Sequence, residues 1–489
     1  MSSQLIVGFD VGTTSLKGVA FDADSGQAIT EIAVPYETWS PRPGWTEQRP
    51  HDWLSAISDA WPALMGQDSR RASAIGIVSQ VNTHVFVDDR LRPLIPAIVW
   101  NDLRSAKKAA ELDARLTAED RLQLFSGSFT IDASYAPSRW AWLQSTDAGT
   151  AERVRWILSP KDYCIAELTG AVSSDAISSI GLVDSAGAYI QGLDSVAGDF
   201  LAHLPILRQF DEVAGVTNGR WGLPTGIPVA VGTMDAWGNV YGSGVTRAGQ
   251  GMEVSGTSEI VGIMTDVPGN ASGVISFPPV RGRYLHAGPT QAGGRALSWV
   301  AESFSMSIRD ALEAAASADI SQRLVFLPHL QGERAPVWNP SARGVWLGLT
   351  TKTGPREMIR AVLEGVAFSA RWIRETCEEA AGIRPRALRI SGGGSKSTLW
   401  NEIKASAHGV SMEVLRCSAS GCLGAALMGG VASGLNKDIE DWAHRIAAIE
   451  NVVEPEIEEV ERLQELYSIY RDTYDGMHSV FERISRDGS

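Results

Sequence analysis

Two carboxylates and three small-residue turns carry the residue types with the most chemistry in this chain. Asp10 stands ahead of a turn in the run Asp10-Val11-Gly12-Thr13-Thr14-Ser15-Leu16-Lys17. The amides and hydroxyls of Thr13, Thr14 and Ser15 are donors suited to phosphate oxygens, and Lys17 adds a positive charge. Asp10 can hold a hydrated Mg²⁺ opposite them. Gly12 is expected to take a φ > 0 kink and to let a ligand approach the backbone closely. A second tip of the same design is Ser255-Gly256-Thr257-Ser258, and a third turn is Gly392-Gly393-Gly394. A triple-glycine backbone can lie flat against a planar ring, and the helix leaving it, with Trp400 and Asn401 in its first turns, offers amides to phosphates. Asp235 ends the apolar run that starts at Pro228 and is the candidate base. Together these groups suit phosphoryl transfer, where positioning and charge stabilisation dominate and one carboxylate orients or deprotonates the attacking hydroxyl. Taken singly, each has a plain structural reading: a polar hairpin tip, or a helix cap in the case of Asp235.

The elements that must position these residues are legible as alternating patterns. Apolar runs at 5–9 and 16–21 predict a β-hairpin with the Gly-Thr-Thr-Ser tip at its end, and a third strand over 27–35 completes a meander. A helix is expected to start near Asp52 as N-cap. Strands are expected over 74–78, 85–88 and 95–100, with the polar loop Ser79-Gln80-Val81-Asn82-Thr83-His84 at a strand end, where α/β proteins place ligands. Residues 105–170 are mostly helical by periodicity, with a helix start at Ser159-Pro160. Around 249–250 the plan restarts: residues 251–266 repeat the strand, Gly-Thr-Ser tip, strand order of residues 5–22, which suggests a duplicated architecture. Further on come a glycine-rich helix start at Gly293-Gly294, a long helix over 355–381, a small-residue helix over 421–434 that suits close packing, and a charged helix over 456–474. His84 and Trp100 flank the polar loop. A lone His at a strand start suits a structural role, while Trp100 suits either core packing or the apolar face of a sugar.

Length and composition bound the rest. At 489 residues the chain exceeds what one core supports, so two domains are expected, 1–246 and 247–489. With 44% hydrophobic and 20% charged residues it reads as a globular protein. Lys+Arg 43 against Asp+Glu 57 gives a net charge of −14, which argues against general nucleic-acid or anionic-membrane binding. Cys164, Cys377, Cys417 and Cys422 form no C-x-x-C pair, so neither metal ligation nor a disulfide framework is expected. With no signal-type segment at the start and no apolar run of membrane-spanning length, the expectation is a cytoplasmic protein.

The order of these motifs resembles the FGGY carbohydrate kinase family, within the actin-like ATPase superfamily. The resemblance runs from Val7 to about Gly434. It rests on Asp10-x-Gly-Thr-Thr-Ser-x-Lys17, Ala97-Ile-Val-Trp-Asn-Asp102 with Arg104, Ser159-Pro-Lys-Asp-Tyr163, Asp235, Ser255-Gly-Thr-Ser258, Gly332-Glu-Arg-Ala-Pro336 and Ser391-Gly-Gly-Gly-Ser395. It implies an α/β protein of two actin-like (ribonuclease H-like) domains with an interdomain active-site cleft. The first would bind sugar and carry the catalytic base, and the second would bind nucleotide. It further implies ATP- and Mg²⁺-dependent phosphorylation of a small sugar or polyol, with Asp235 as base and Asp10 as metal carboxylate. Thr13, Thr14, Ser15, Lys17, Gly256, Thr257, Gly294, Gly393, Gly394 and Asn401 would then serve the nucleotide, and Gln80, Val81, Asn82, Trp100 and Asp235 the sugar. Within the family the pattern is most similar to xylulokinases, which implies a ketopentose such as D-xylulose. Those enzymes usually carry Gly-Gln-Met-His where this chain has Ser79-Gln80-Val81-Asn82, and Arg139 stands where Lys is usual. Glycerol kinases carry Arg-Glu at Val81-Asn82. A polyol kinase of glycerol or erythritol type is the alternative, and a non-enzymatic actin-like ATPase switch a more remote one; a chaperone of that superfamily would normally add a substrate-binding domain. Dimers are common in the family, so a homodimer is compatible with the resemblance.

Overall fold

The computed structural model describes residues 4–66, 72–125 and 129–486. Residues 1–3 of the expected leader-free start and 126–128 of the expected helical stretch lie outside them. The chain forms two compact units, Met1–Gly244 with Ala419–Ile446, and Val245–Ser418 with Ala447–Ser489. The sequence suggested one break after 246; in the structure, a late segment, 419–446, returns to the first unit.

The first unit is built on a six-stranded sheet. Its strands are β1 (Leu5–Val11), β2 (Ser15–Asp22), β3 (Ala28–Pro35), β4 (Ala72–Ser79), β5 (Val213–Val216) and β6 (Pro228–Ala230). They lie in the order β5-β6-β4-β1-β2-β3. The meander β1-β2-β3 is antiparallel, and β1, β4 and β6 run parallel. Central β1 reads as a near-continuous apolar run because both its faces are covered; Val7, Phe9 and Val11 are fully buried.

The second unit repeats this plan in a seven-stranded sheet. Its strands are β7 (Gly251–Ser255), β8 (Glu259–Thr265), β9 (Ile275–Ser276), β10 (Tyr284–Pro289), β11 (Ala387–Ser391), β12 (Ser411–Leu415) and β13 (Ile449–Val453). The order is β9-β10-β8-β7-β11-β12-β13. Again a meander (β7-β8-β10) is antiparallel, the next two strands are parallel, and an antiparallel strand closes the edge. The duplication suggested by two short Gly-Thr-Ser tips is therefore a duplication of whole sheets, each of the actin-like plan.

The small-residue helix, Ser420–Ala432, explains why 419–446 joins the first unit. Its backbone rests directly on glycines of that unit. A Cβ on Gly8 would stand 1.8 Å from the Cys422 carbonyl oxygen, and one on Gly76 would stand 1.7 Å from that of Ala425. On the helix's other side, a Cβ on Gly424 would meet the Gly238 carbonyl at 1.9 Å. Close packing is thus what the glycines provide.

Several local expectations shift. Gly12 is absent from the positive-φ glycines, so the tip turns without the expected kink there. The first long helix starts at Pro50 after Arg49, leaving Asp52 inside its first turn instead of at the cap. Of the strand expected over 95–100 only Ala97–Ile98 pairs, with Glu47–Gln48. The last helix runs on to Arg486.

Gly76→Ala is expected to cost roughly 3 kcal/mol or more, because the clash is with a carbonyl that cannot move aside. Gly476→Ala, in the last helix with open space around the new methyl, should instead stabilise by about 0.5–1 kcal/mol. Urea midpoints of the two variants check both signs.

Candidate functional site

The parallel strands of the first unit end together. Val11 of β1 pairs with Ser79 of β4, and Ser79 bridges Met234 just beyond β6. The residues that follow each of these three therefore leave one sheet edge side by side: Gly12 to Ser15, Gln80 to Asn82, and Asp235. This is the carboxyl edge of parallel strands, where open α/β sheets bind ligands.

Asp10 lies one step back along β1, paired across the hairpin with Lys17. Its Oδ1 is buried without a hydrogen-bond partner, and burial raises its pKa against the opposing pull of Lys17. A Cβ on Gly421 would be 3.1 Å from Asp10 Oδ2 and 3.5 Å from Asn239 Oδ1, so Asp10 and Asn239 flank that glycine. Asn239 sits one turn into the Asp235–Ser243 helix, and its Nδ2 donates to the Asp235 carbonyl at 2.9 Å. Asp235 is not the cap of this helix. Met234 occupies that position in an extended conformation, and Asp235 is the first helical residue, its Oδ1 accepting the Ala236 amide at 2.8 Å.

The Gly-Thr-Thr-Ser tip is anchored by buried side chains. Thr13 Oγ1 donates to Gln80 Oε1 at 3.1 Å and accepts from Trp100 Nε1 at 3.2 Å. Gln80 Nε2 donates to the Gly12 carbonyl at 3.2 Å and to Gln48 Oε1 at 2.8 Å. Gln48 in turn donates to the Thr13 carbonyl at 2.5 Å, and Tyr36 donates to the Gly12 carbonyl at 2.5 Å. Gln80 and Trp100, expected at the sugar, thus also hold the tip. Gln48 and Tyr36 were not singled out in the sequence, and nothing in their local pattern marks them. Thr14 and Lys17 are exposed, and Ser15 and Val81 are half-buried. Asn82 adopts φ 55° and donates to Ser134 Oγ at 3.3 Å.

Arg139 is fully buried and ties the loop together. It donates to the carbonyls of Asn82, Ile98 and Val99 at 2.5, 2.8 and 2.7 Å, and contacts His84 Nδ1 at 2.8 Å. Burial lowers its pKa to about 9, which leaves it charged at neutral pH. Burial also holds His84 neutral, its pKa well below the usual value. His84 is a structural residue. Asp102 and Arg104 form a second clamp: Arg104 is bidentate to Asp102 (2.9 and 2.7 Å), reaches Glu47 at 2.8 Å and stacks 3.8 Å above Trp45. Behind the approach to Asp235, buried Lys161 contacts Asp162 at 2.5 Å and Asp175 at 2.9 Å, and Thr233 donates to Asp175 at 2.8 Å.

In the second unit the Ser255-Gly256-Thr257-Ser258 tip is gripped by two glycine turns. The Gly294 amide donates to the Gly256 carbonyl at 2.9 Å, opening the helix Gly294–Ser303 beside it. On the other side, a Cβ on Gly394 would stand 2.1 Å from Ser255 Oγ, while one on Gly393 would meet nothing within 4 Å. Thr257 and Gly393 are exposed. Asn401 is buried in the helix Thr398–His408; its Nδ2 donates to the Ser395 carbonyl at 2.7 Å, and its Oδ1 is buried without a partner. The structure therefore gathers Gly256, Thr257, Gly294, Gly393, Gly394 and Asn401 in one unit, and Asp10, Thr13, Thr14, Ser15, Lys17, Gln80, Val81, Asn82, Trp100 and Asp235 in the other.

The N-terminal domain model of the FGGY family of carbohydrate kinases matches residues 5–242, and its C-terminal domain model matches residues 251–433. The chain belongs to this family. It is an ATP-dependent sugar kinase, which moves a phosphoryl group to an alcohol acceptor. It is 30% identical to a xylulose kinase of Escherichia coli (strain K12), over 89% of this chain and 91% of that protein. It is 26% identical to a gluconokinase of Bacillus subtilis (strain 168), over 88% of each. A crystal structure of a xyloylose kinase from Brucella ovis superposes with a TM-score of 0.86 at 26% identity, covering 98% of this chain and 100% of that one. No helix among the described residues is long and apolar enough to cross a membrane.

Asp10 yields a prediction with a definite sign. Its raised pKa means that the folded protein binds this proton more tightly than the unfolded chain. Its stability contribution is full below the unfolded value of about 4 and is lost as pH rises through the folded value. Asp10→Asn should therefore melt higher than wild type at about pH 7.5 in metal-free buffer, with the gap closing on acidification. Calorimetry across that pH range checks it.

Proposed function

We propose that the acceptor is a ketopentose such as D-xylulose, that Asp235 is the general base, and that the kinase works with ATP and Mg²⁺ as the resemblance implied. The observation that carries the assignment of Asp235 is the shared row of Val11, Ser79 and Met234, which brings Asp235 beside the Gln80–Asn82 loop on one rigid sheet edge. The Ala236 amide donates a hydrogen bond to its Oδ1, and a carboxylate so held can take the proton of a sugar hydroxyl as that oxygen attacks the γ-phosphorus. Val81, Asn82 and Trp100 complete the sugar side of this reading. The family relatives named xylulose kinase support a ketopentose, whereas the gluconokinase, at 26% identity against 30%, bears another substrate name.

Thr13, Thr14, Ser15 and Lys17 serve phosphate oxygens in this reading. Gly256, Thr257, Gly294, Gly393, Gly394 and Asn401 serve the rest of the nucleotide. Gly393, whose added Cβ would meet nothing, offers an open backbone face to a planar base, and the unpartnered Oδ1 of Asn401 offers an acceptor. Among the described residues no group of three or more His, Cys, Asp or Glu side chains is arranged around a common point. A largely hydrated Mg²⁺ needs only one or two carboxylates plus substrate phosphates. The orphaned Oδ1 of Asp10 fits that requirement, and the ion would supply charge neutralisation on the phosphates. In this reading the kinase acts in the cytoplasm, where thiols stay reduced.

A coupled ADP-release assay over pentuloses, hexuloses, polyols and gluconate should give its highest kcat/KM on a ketopentose; a polyol in first place would overturn the substrate assignment. Asp235→Asn should lower kcat by about 10²–10⁴-fold while leaving the melting temperature close to wild type. Turnover within a few-fold of wild type would remove Asp235 from the chemistry.

A further inference from the structure

Beneath the second Gly-Thr-Ser tip lies a set of charged side chains that the reading above does not use. Lys404 and Glu253, Glu259, Ser255 and His408 are all essentially without solvent contact. The Lys404 ammonium donates to Glu253 Oε1 at 2.5 Å, to Ser255 Oγ at 2.9 Å and to Glu259 Oε2 at 2.9 Å, so its three hydrogens are all engaged. Ser255 Oγ passes its own hydrogen to Glu259 Oε1 at 3.0 Å. The second oxygen of Glu253 takes the Nε2 hydrogen of His408 at 2.9 Å, and His408 Nδ1 accepts from Arg374 Nε at 3.2 Å. Arg374 reaches Glu378 at the far end.

The placement of this set is what gives it a consequence. Glu253 and Ser255 are on β7 and Glu259 opens β8, so Lys404 joins both strands on either side of the Gly256–Ser258 turn. Lys404 itself comes from the helix that follows the triple-glycine turn, three residues after Asn401. Gly394 packs on Ser255 Oγ, and a Cβ on Gly392 would stand 2.3 Å from the Ser255 carbonyl. One ammonium thus sets the mutual position of the tip, the triple-glycine turn and the Asn401 helix. An ordinary hairpin does not bury two carboxylates at its tip; a charged pair is retained in an interior at the cost of desolvation, and its removal from one side leaves the other charge uncompensated.

We propose that Lys404 is a positioning residue for nucleotide binding: it holds Ser255–Ser258, Gly392–Gly394 and Asn401 in the arrangement that receives the ATP phosphates and base. This rests on the nucleotide-side reading of that tip. Burial pushes the Glu253 carboxyl up, but the Lys404 ammonium and the hydrogen bond from His408 outweigh it and hold it ionised. Burial and the neighbouring Glu253 push Glu259 up to about 7, against Lys404.

The test compares Lys404→Met, Glu259→Gln and the double variant Lys404→Met/Glu259→Gln with Thr257→Ala, which alters the tip itself. Steady-state KM for ATP and for the sugar, and direct ADP binding by calorimetry, are the readouts. Lys404→Met should raise KM for ATP about 10-fold or more, the loss of charge-assisted hydrogen bonds, with the sugar KM unchanged. Glu259→Gln keeps the shape and leaves Glu253 opposite Lys404, so it should fold and raise KM for ATP by a smaller factor. The double variant should recover part of the ADP affinity lost in Lys404→Met, because the uncompensated carboxylate is gone. If Thr257→Ala weakens ADP binding while Lys404→Met and Glu259→Gln leave it unchanged, the positioning role is wrong and the nucleotide-side reading stands. If Thr257→Ala also leaves ADP binding unchanged, both fall. Should Lys404→Met fail to fold, an unchanged ADP affinity in Glu259→Gln by itself overturns the role.

Discussion

Parallel pairing of β1, β4 and the end of β6 is the constraint on which the first unit's chemistry depends. A parallel ladder puts the carboxyl ends of its strands on one edge, so side chains from sequence positions near 12, 80 and 235 become neighbours with no long side chain reaching between them. The helix Ser420–Ala432 makes that sheet rigid from behind. Its backbone sits on Gly8 and Gly76 at distances no Cβ would permit, which places β1 and β4 at a fixed height relative to each other and to Asn239 beside Asp10. The loops can then be held by short, buried hydrogen bonds.

Both units place a buried lysine next to a turn of the candidate site. Lys161 links Asp162 and Asp175 behind the segment that delivers Asp235, and Lys404 links Glu253 and Glu259 behind the second tip. Such groups contribute little net stability over an apolar packing, but breaking one partner out of a buried pair costs about 3–5 kcal/mol. They therefore penalise displaced arrangements of the turn strongly. Arg139 acts similarly on neutral groups: its guanidinium collects carbonyls from two separate loop ends, Asn82 and Ile98–Val99.

The two glycine-rich turns of the second unit show the same economy of contact. Gly294 and Gly394 approach the Ser255–Thr257 segment from opposite sides, and a Cβ on Gly393 would meet nothing within 4 Å. A side chain at Gly394 would displace Ser255 Oγ, one of the three acceptors of Lys404. The turn, the tip and the charge network are thus one packed object.

The residues that were legible in the sequence are those whose signal is local. Asp10, Thr13 and Lys17 sit at fixed offsets in a hairpin whose alternation is plain, the second tip repeats it, and both the long helix over 355–381 and the helix leaving the triple-glycine turn form as expected. Membership in a two-sheet kinase family follows from the order of such motifs. What was not legible is non-local. Gln48, Tyr36 and Arg139 act through partners dozens of residues away, and Lys404 through partners some 150 residues away. Residues 419–446 join the first unit because the helix backbone at Cys422 and Ala425 fits against Gly8 and Gly76, strand glycines more than 300 positions earlier, a complementarity that one-dimensional spacing does not encode. Even Asp235 read as a possible helix cap until the fold gave the cap to Met234. Local sequence determined which turns and strands form; only the tertiary structure decided which of them share an edge, because register and burial are properties of pairs of segments.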